Sequence, residues 1–163
     1  MDKRVYEAMN DQINHELYSA YFYLAMSAYC ESENLSGAAR WLRVQAKEEQ
    51  EHAMKFFEYL HDRGEKVLLK PIGQPPVEFT SLKDVFAKVY EHEQKVTALL
   101  SAIYEKALEA KDVASQVLLH WYLMEQVEEE KNASTILAML EKAGTSVGAL
   151  FQIDHELGER GAE

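Results

Sequence analysis

Glu16 precedes Glu49 by 33 residues, and Glu49 opens a Glu-x-x-His that closes at His52. Glu93 precedes Gln126 by the same 33, and Gln126 opens a Gln-x-x-Glu that closes at Glu129. The second set is the first moved along by 77 positions. Carboxylates with one imidazole form a hard, oxygen-rich donor set that suits iron or manganese and also admits zinc. Any one of these residues alone would read as a helix-flank side chain reaching for water. Together they form two matched pairs and two i,i+3 doublets. Carboxylates gathered in a core repel one another and are almost never buried without a partner. No matching set of Lys or Arg accompanies them, so divalent cations are the simplest compensation. Four carboxylates against two divalent ions leave no net charge.

Such a site needs elements that bring all six groups to one height. Val5, Met9, Ile13, Leu17, Ala20, Leu24 and Ala28 recur three or four apart, which predicts a helix with one buried stripe over about 2–31. Ser32-Glu33-Asn34 is a polar break. Ser36 is the expected cap of a second helix that runs to about Asp62 and stops at Gly64. Residues 65–80 contain all three prolines (Pro71, Pro75, Pro76) and Gly73, a long irregular connection. Ser81 caps a third helix that ends near Glu109. After Ala110-Lys111-Asp112 a fourth helix runs to Ala143 and closes at Gly144. Thr145 or Ser146 caps a short fifth helix, and Gly158–Glu163 is a polar tail. A helix of about 28 residues is about 42 Å long, whereas about 18 extended residues reach about 60 Å. The connection can therefore climb the whole bundle and set helices two and three parallel.

In an antiparallel hairpin, residues equidistant from the turn share a height. Glu16 and Glu49 are symmetric about the first break, Glu93 and Gln126 about the second. All six groups are thus expected at mid-bundle. The predicted organisation is an all-α bundle over 1–144 with a short C-terminal helix and tail over 145–163. Its helical content agrees with low Gly and Pro, 7 and 3 residues. At 47% hydrophobic and 28% charged the chain can bury a real core. A net charge of -11 disfavours nucleic acid and anionic membranes as partners and suits cations. Cys30 is the single cysteine, which fits a reducing compartment. Met1-Asp2-Lys3-Arg4 leads into an amphipathic segment rather than an apolar secretory core, and no stretch approaches the ~20 apolar residues of a membrane span. A cytoplasmic location is expected.

Nearly the whole chain resembles a ferritin, specifically the haem-free prokaryotic kind, from Asn10-Asp11-Gln12-Ile13-Asn14-His15-Glu16 through Glu48-Glu49-Gln50-Glu51-His52 to Glu125-Gln126-Val127-Glu128-Glu129. Ferritin-like di-iron bundles with one crossover have Glu from two helices and Glu-x-x-His from the other two. The missing second His is typical of ferritins and makes the two metal positions unequal. The resemblance implies that Glu16, Glu49 and His52 bind a first iron. Glu49 would bridge, Glu93 and Glu129 would bind a second iron, and Gln126 would sit beside it. Glu48, Glu125 and Glu128 each lie one position before a site residue, about 100° round the helix, and match residues of a third iron site. Tyr23, two turns after Glu16, matches a tyrosine beside the irons; Trp121 is a second candidate for that role. Gln50 stands where haem-binding relatives place a ligating Met, so no haem is expected. His15, His61, His92, His120 and His155 read as surface or core residues.

The implied activity is oxidation of Fe2+ by O2 or H2O2 and storage of ferric mineral. It would take place in a hollow homo-oligomeric shell of about 24 subunits, with the fifth helix lining one axis. Gln116 and Leu119 do not supply the acidic ring that lines the iron channel of animal ferritins. The alternative is a rubrerythrin-like di-iron peroxidase without storage. Such a protein would normally show a second Glu-x-x-His and a Cys-rich module, both absent. A DNA-protecting mini-ferritin would lack the fifth helix and place its ligands between subunits.

Overall fold

Among the described residues the apolar periodicity resolves into five helices: α1 (Lys3–Ser32), α2 (Ser36–Asp62), α3 (Leu82–Glu109), α4 (Val113–Ala143) and α5 (Val147–Leu157). They belong to a computed structural model that describes residues 1–160; the last three tail positions, 161–163, lie outside the described residues. Four helices start with a side-chain oxygen bonded to a backbone N–H of the first turn, which satisfies a donor the helix itself cannot. Asp2 accepts from Arg4 N at 2.8 Å, Ser81 from Asp84 N at 3.0 Å, Asp112 from Ser115 N at 3.2 Å and Ser146 from Ala149 N at 3.3 Å.

The start of α2 departs from expectation. Ser36 lies inside the helix, and Leu35 holds the cap position with no oxygen to offer. The cap comes instead from α5. The Asp154 carboxylate accepts from Gly37 N at 3.2 Å and from Ala38 N at 2.8 Å. A Cβ on Gly37 would lie 1.7 Å from the Asp154 carbonyl oxygen, so only glycine lets α5 dock this closely.

The two tight turns repeat each other at the 77-residue offset. α1 ends at Ser32 and α3 at Glu109; α2 begins at Ser36 and α4 at Val113. Asn34 and Lys111 both have positive φ, 59° and 55°. Leu35 N bonds Cys30 O and Asp112 N bonds Ala107 O, each at 2.9 Å. This is a Schellman closure in both places.

Three sets of contacts fix the topology. Between α1 and α2, Ser27 Oγ donates to Ala39 O at 2.9 Å and Arg43 pairs with Glu31 at 2.6 Å. Between α1 and α3, Arg4 meets Glu109 at 3.1 Å and Ser19 meets His92 at 2.7 Å. Between α2 and α4, Tyr122 OH donates to His52 O at 2.7 Å and Arg63 grips Asp112 at 3.0 and 3.1 Å. As the numbers rise on one helix of the α1–α3 and α2–α4 pairs, they fall on the other. These pairs are antiparallel, as are the two hairpins, so α2 and α3 run parallel. The connection between them climbs the side of α1. Tyr6 OH donates to Lys66 O at 2.6 Å, Asn10 exchanges two hydrogen bonds with the Leu68 backbone at 2.9 and 2.8 Å, and Asn14 reaches Pro71 O at 3.4 Å.

The apolar core falls into two clusters. One holds Phe22, Met26, Leu42, Phe86 and Ile136; the other holds Met9, Ile13, Phe56, Leu100 and Leu119. The sequence positions between them on each helix are the six polar groups.

Candidate metal centre

Glu16, Glu49, His52, Glu93, Gln126 and Glu129 are all buried, none more than 7% exposed. Ligand atoms of Glu16, Glu49 and His52 lie within 4.8 Å of one another, and His52 Nδ1 stands 3.8 Å from Glu49 Oε2. Glu93 and Glu129 line the same polar layer but are held by neighbouring donors. Tyr23 OH donates to Glu93 Oε1, and Gln126 Nε2 donates to Glu93 Oε2 at 3.0 Å and to its backbone carbonyl at 3.2 Å.

Two further residues tune the first set. Gln12 Nε2 donates to Glu16 Oε1 at 2.9 Å and Gln45 Nε2 donates to Glu49 Oε1 at 3.1 Å. Both glutamines are buried and both lie four residues before their carboxylate, on the same helix face. They are themselves 33 residues apart, a signal present in the sequence beside the spacing of the glutamates. Their counterparts in the second hairpin are Val89 and Tyr122, so this support exists on one side only.

The electrostatics are those of an acidic site without its counter-charge. Burial and then the charge of Glu49 hold the Glu16 carboxyl well above the usual range. Burial and Glu49 also raise Glu93, partly offset by the hydrogen bonds from Tyr23 and Gln126. Burial lifts Glu129 to about 7. For His52, burial disfavours the cation, but the nearby Glu49 carboxylate and the other surrounding carboxylates outweigh it and the net shift is upward. Burial and Glu93 keep Tyr23 protonated, so its hydroxyl stays a donor. Glu16 Oε2 is buried with no hydrogen-bond partner. An orphaned carboxylate oxygen costs about 1–3 kcal/mol or more, and a cation beside it would remove that cost. The donor set therefore fits divalent metal, with iron well matched to oxygen and imidazole.

Glu48, Glu125 and Glu128 share a groove of about 560 Å3 with His52, Glu129 and Trp121. Glu48 and Glu125 are half-buried and Glu128 is exposed. The groove leads from solvent to the two site residues at its floor. Trp121 meets the His52 ring edge-on at 5.5 Å and carries the Lys55 ammonium 4.1 Å above its own face. A basic group also enters from the tail. Arg160 pairs with Glu48 at 2.6 Å and donates to Gln45 Oε1 at 2.8 Å. The helical pattern had offered no base at this height, because Arg160 comes from beyond the bundle. Of the other histidines, His15, His61, His120 and His155 are exposed. His92 packs among Tyr18, Phe22 and Tyr23, where burial lowers its pKa to about 4.

An antiparallel four-helix bundle with one long crossover, a docked fifth helix and a buried carboxylate–imidazole layer defines a ferritin-like protein. The model of the ferritin-like domain matches residues 6–143, and the chain belongs to the ferritin family. A bacterial non-heme ferritin-like protein of Haemophilus influenzae is 40% identical over 158 residues, 97% of this chain and 96% of that one. The bacterial non-heme ferritin of Staphylococcus aureus is 38% identical over 160 residues, 98% and 96% of the two chains. An open-pore ferritin from the hyperthermophilic archaeon Archaeoglobus fulgidus superposes with a TM-score of 0.97 at 43% identity, over 98% of this chain and 99% of that one. A form of that ferritin engineered to be closed gives 0.96 at 43% identity, over 98% of each chain.

Proposed function

We propose that this protein stores iron, oxidising Fe2+ to Fe3+ in the buried polar layer and holding the ferric product inside a hollow homo-oligomer. The observation that carries the reading is the Glu16–Glu49–His52 set with its orphaned carboxylate oxygen, in a chain that matches non-heme ferritins over nearly its full length. Glu16, Glu49 and His52 bind the first iron, Glu49 bridges, Glu93 and Glu129 bind the second, and Gln126 stands beside it. Glu48, Glu125 and Glu128 form a third iron position in the groove. The bound ions take the places of protons, since Glu16, Glu93 and Glu129 all hold their protons to unusually high pH.

Two Fe2+ each lose one electron. O2 takes both, with two protons, and leaves as hydrogen peroxide; where H2O2 is the oxidant, the same two electrons and two protons give two waters. Tyr23 keeps Glu93 oriented through its hydroxyl donor. Its ring is fully buried against the apolar cluster beside the layer. The acidic surface draws cations toward the groove. A single bundle cannot enclose a mineral, so storage requires a closed assembly; the likeness to ferritins supports a shell of about 24 subunits. Among the described residues no helix is long and apolar enough to cross a membrane.

The double variant Glu49→Ala/His52→Ala tests the site. Fast O2-dependent Fe2+ oxidation is expected to vanish while light scattering reports an assembly of unchanged size. Oxidation at the normal rate in that variant would remove the assignment.

A further inference from the structure

Arg160 lines the groove, and the iron-binding reading gives it no role. It follows α5 by three residues, yet its side chain makes three separate contacts with α2. Nη2 reaches Glu48 Oε2 at 2.6 Å, Nη1 donates to Gln45 Oε1 at 2.8 Å, and the guanidinium lies 4.4 Å from the Trp41 ring centroid. Gln45 is fully buried and passes the contact inward, since its amide nitrogen donates to Glu49 Oε1 at 3.1 Å. An arginine offers donors only, so it fixes which end of the Gln45 amide faces the carboxylate.

We propose that Arg160 is a displaceable counter-cation of the groove: it holds Glu48 and Gln45 until a divalent ion competes for Glu48, and so couples occupancy of the groove to the ligand Glu49. This inference rests on the reading of Glu48, Glu125 and Glu128 as a metal position. Arginine keeps its charge at every physiological pH, so protonation cannot release it and only competition can. The pair is reachable from water, with the Arg160 side chain 24% and the Glu48 side chain 37% exposed, which lets the guanidinium exchange. A divalent ion shared by three carboxylates has the stronger attraction for Glu48. Release nevertheless leaves the buried Gln45 oxygen without its donor. Arg160 thus sets a threshold, and the groove fills only after the inner positions have taken their ions. Arg160 is a positioning residue for Glu49, acting through Gln45.

Anaerobic Co2+ titration of the assembled, metal-free protein, followed by calorimetry and visible absorption, tests this. In the wild type the weakest class of Co2+ sites is the groove, and Glu125→Gln/Glu128→Gln removes it. Arg160→Ala is expected to tighten that class by about tenfold, the scale of one charge-assisted hydrogen bond. Arg160→Lys keeps the charge but loses the fork, and falls between. In a Glu48→Gln background Arg160→Ala has no effect on the groove. Groove affinity that is unchanged or weaker in Arg160→Ala, with the glutamine pair still removing the class, overturns the lock alone. If the glutamine pair removes no Co2+ from the wild type, the groove reading falls and the lock falls with it. Should Arg160→Ala fail to assemble, Arg160→Lys decides: wild-type affinity in that variant overturns the proposal.

Discussion

Glu16 shows what a single residue contributes. One carboxylate oxygen is satisfied by Gln12 at 2.9 Å and the other is buried with no partner. The first contact organises the side chain, and the second leaves it poised for a cation. The six candidate ligands were legible in the sequence because a 33-residue spacing about a tight turn is a geometric statement about height. Gln12 and Gln45 carry the same spacing and could have been read with them. Arg160 could not, since nothing local tells where a tail folds back. Tyr23 offers a direct test. Tyr23→Phe removes the hydroxyl donor from Glu93 and should destabilise the metal-free protein by about 1–3 kcal/mol, read by thermal or denaturant unfolding. Because that hydrogen bond also pulls the Glu93 pKa down, Fe2+ binding at mildly acidic pH should weaken in the same variant. Unchanged stability and unchanged binding together would show that Tyr23 is only a core aromatic.

At the scale of the element, four of five helix starts follow from the residue standing at the cap, and the fifth does not. Position 112 is Asp and caps α4 itself; its equivalent in the repeat, position 35, is Leu, and Asp154 of α5 supplies the carboxylate instead. Ser36 is the nearest capping side chain in the sequence, whereas the carboxylate that bonds the first turn of α2 is 116 residues away. The cap of α2 is a tertiary contact, and α5 is therefore part of the structure of the bundle. Asp154→Ala should cost about 0.5–2 kcal/mol, as for other lost caps. Gly37→Ala should cost more, since its Cβ would meet the Asp154 carbonyl oxygen at 1.7 Å and α5 must lift away. Amide exchange across 147–157 should accelerate in both variants. Protection equal to the wild type in Gly37→Ala would mean that α5 does not depend on this close approach.

Taken as a whole, the molecule has an apolar core interrupted at mid-height by a layer whose charges are not balanced within the chain. Its stability must therefore depend on pH and metal together. Glu16, Glu93 and Glu129 have folded pKa values raised above the ordinary carboxyl value of 4.5, Glu129 to about 7. Such groups hold protons in the folded state that the unfolded chain releases, so stability falls as pH rises through this window. His52 is raised as well and acts with the same sign. The metal-free protein should melt at progressively lower temperature from about pH 5 to about pH 7. Protein loaded with divalent metal should lose that dependence, because cations replace the protons. A melting temperature that rises across this window in the metal-free protein would contradict the burial of unpaired carboxylates. The organisation of the layer, two hairpins meeting at one height, was legible from the 77-residue repeat, whereas its asymmetry appears only where Tyr23 and Gln126 hold Glu93 while Glu16 stays half-satisfied. The most direct measurement is anomalous X-ray scattering at the iron edge from crystals soaked anaerobically in ferrous salt. Two peaks are expected inside the bundle, one among Glu16, Glu49 and His52 and a second between Glu49, Glu93 and Glu129. Diffraction that places no iron within that layer, with Glu16 Oε2 still buried and unpartnered, would contradict the metal centre at the heart of the proposed function.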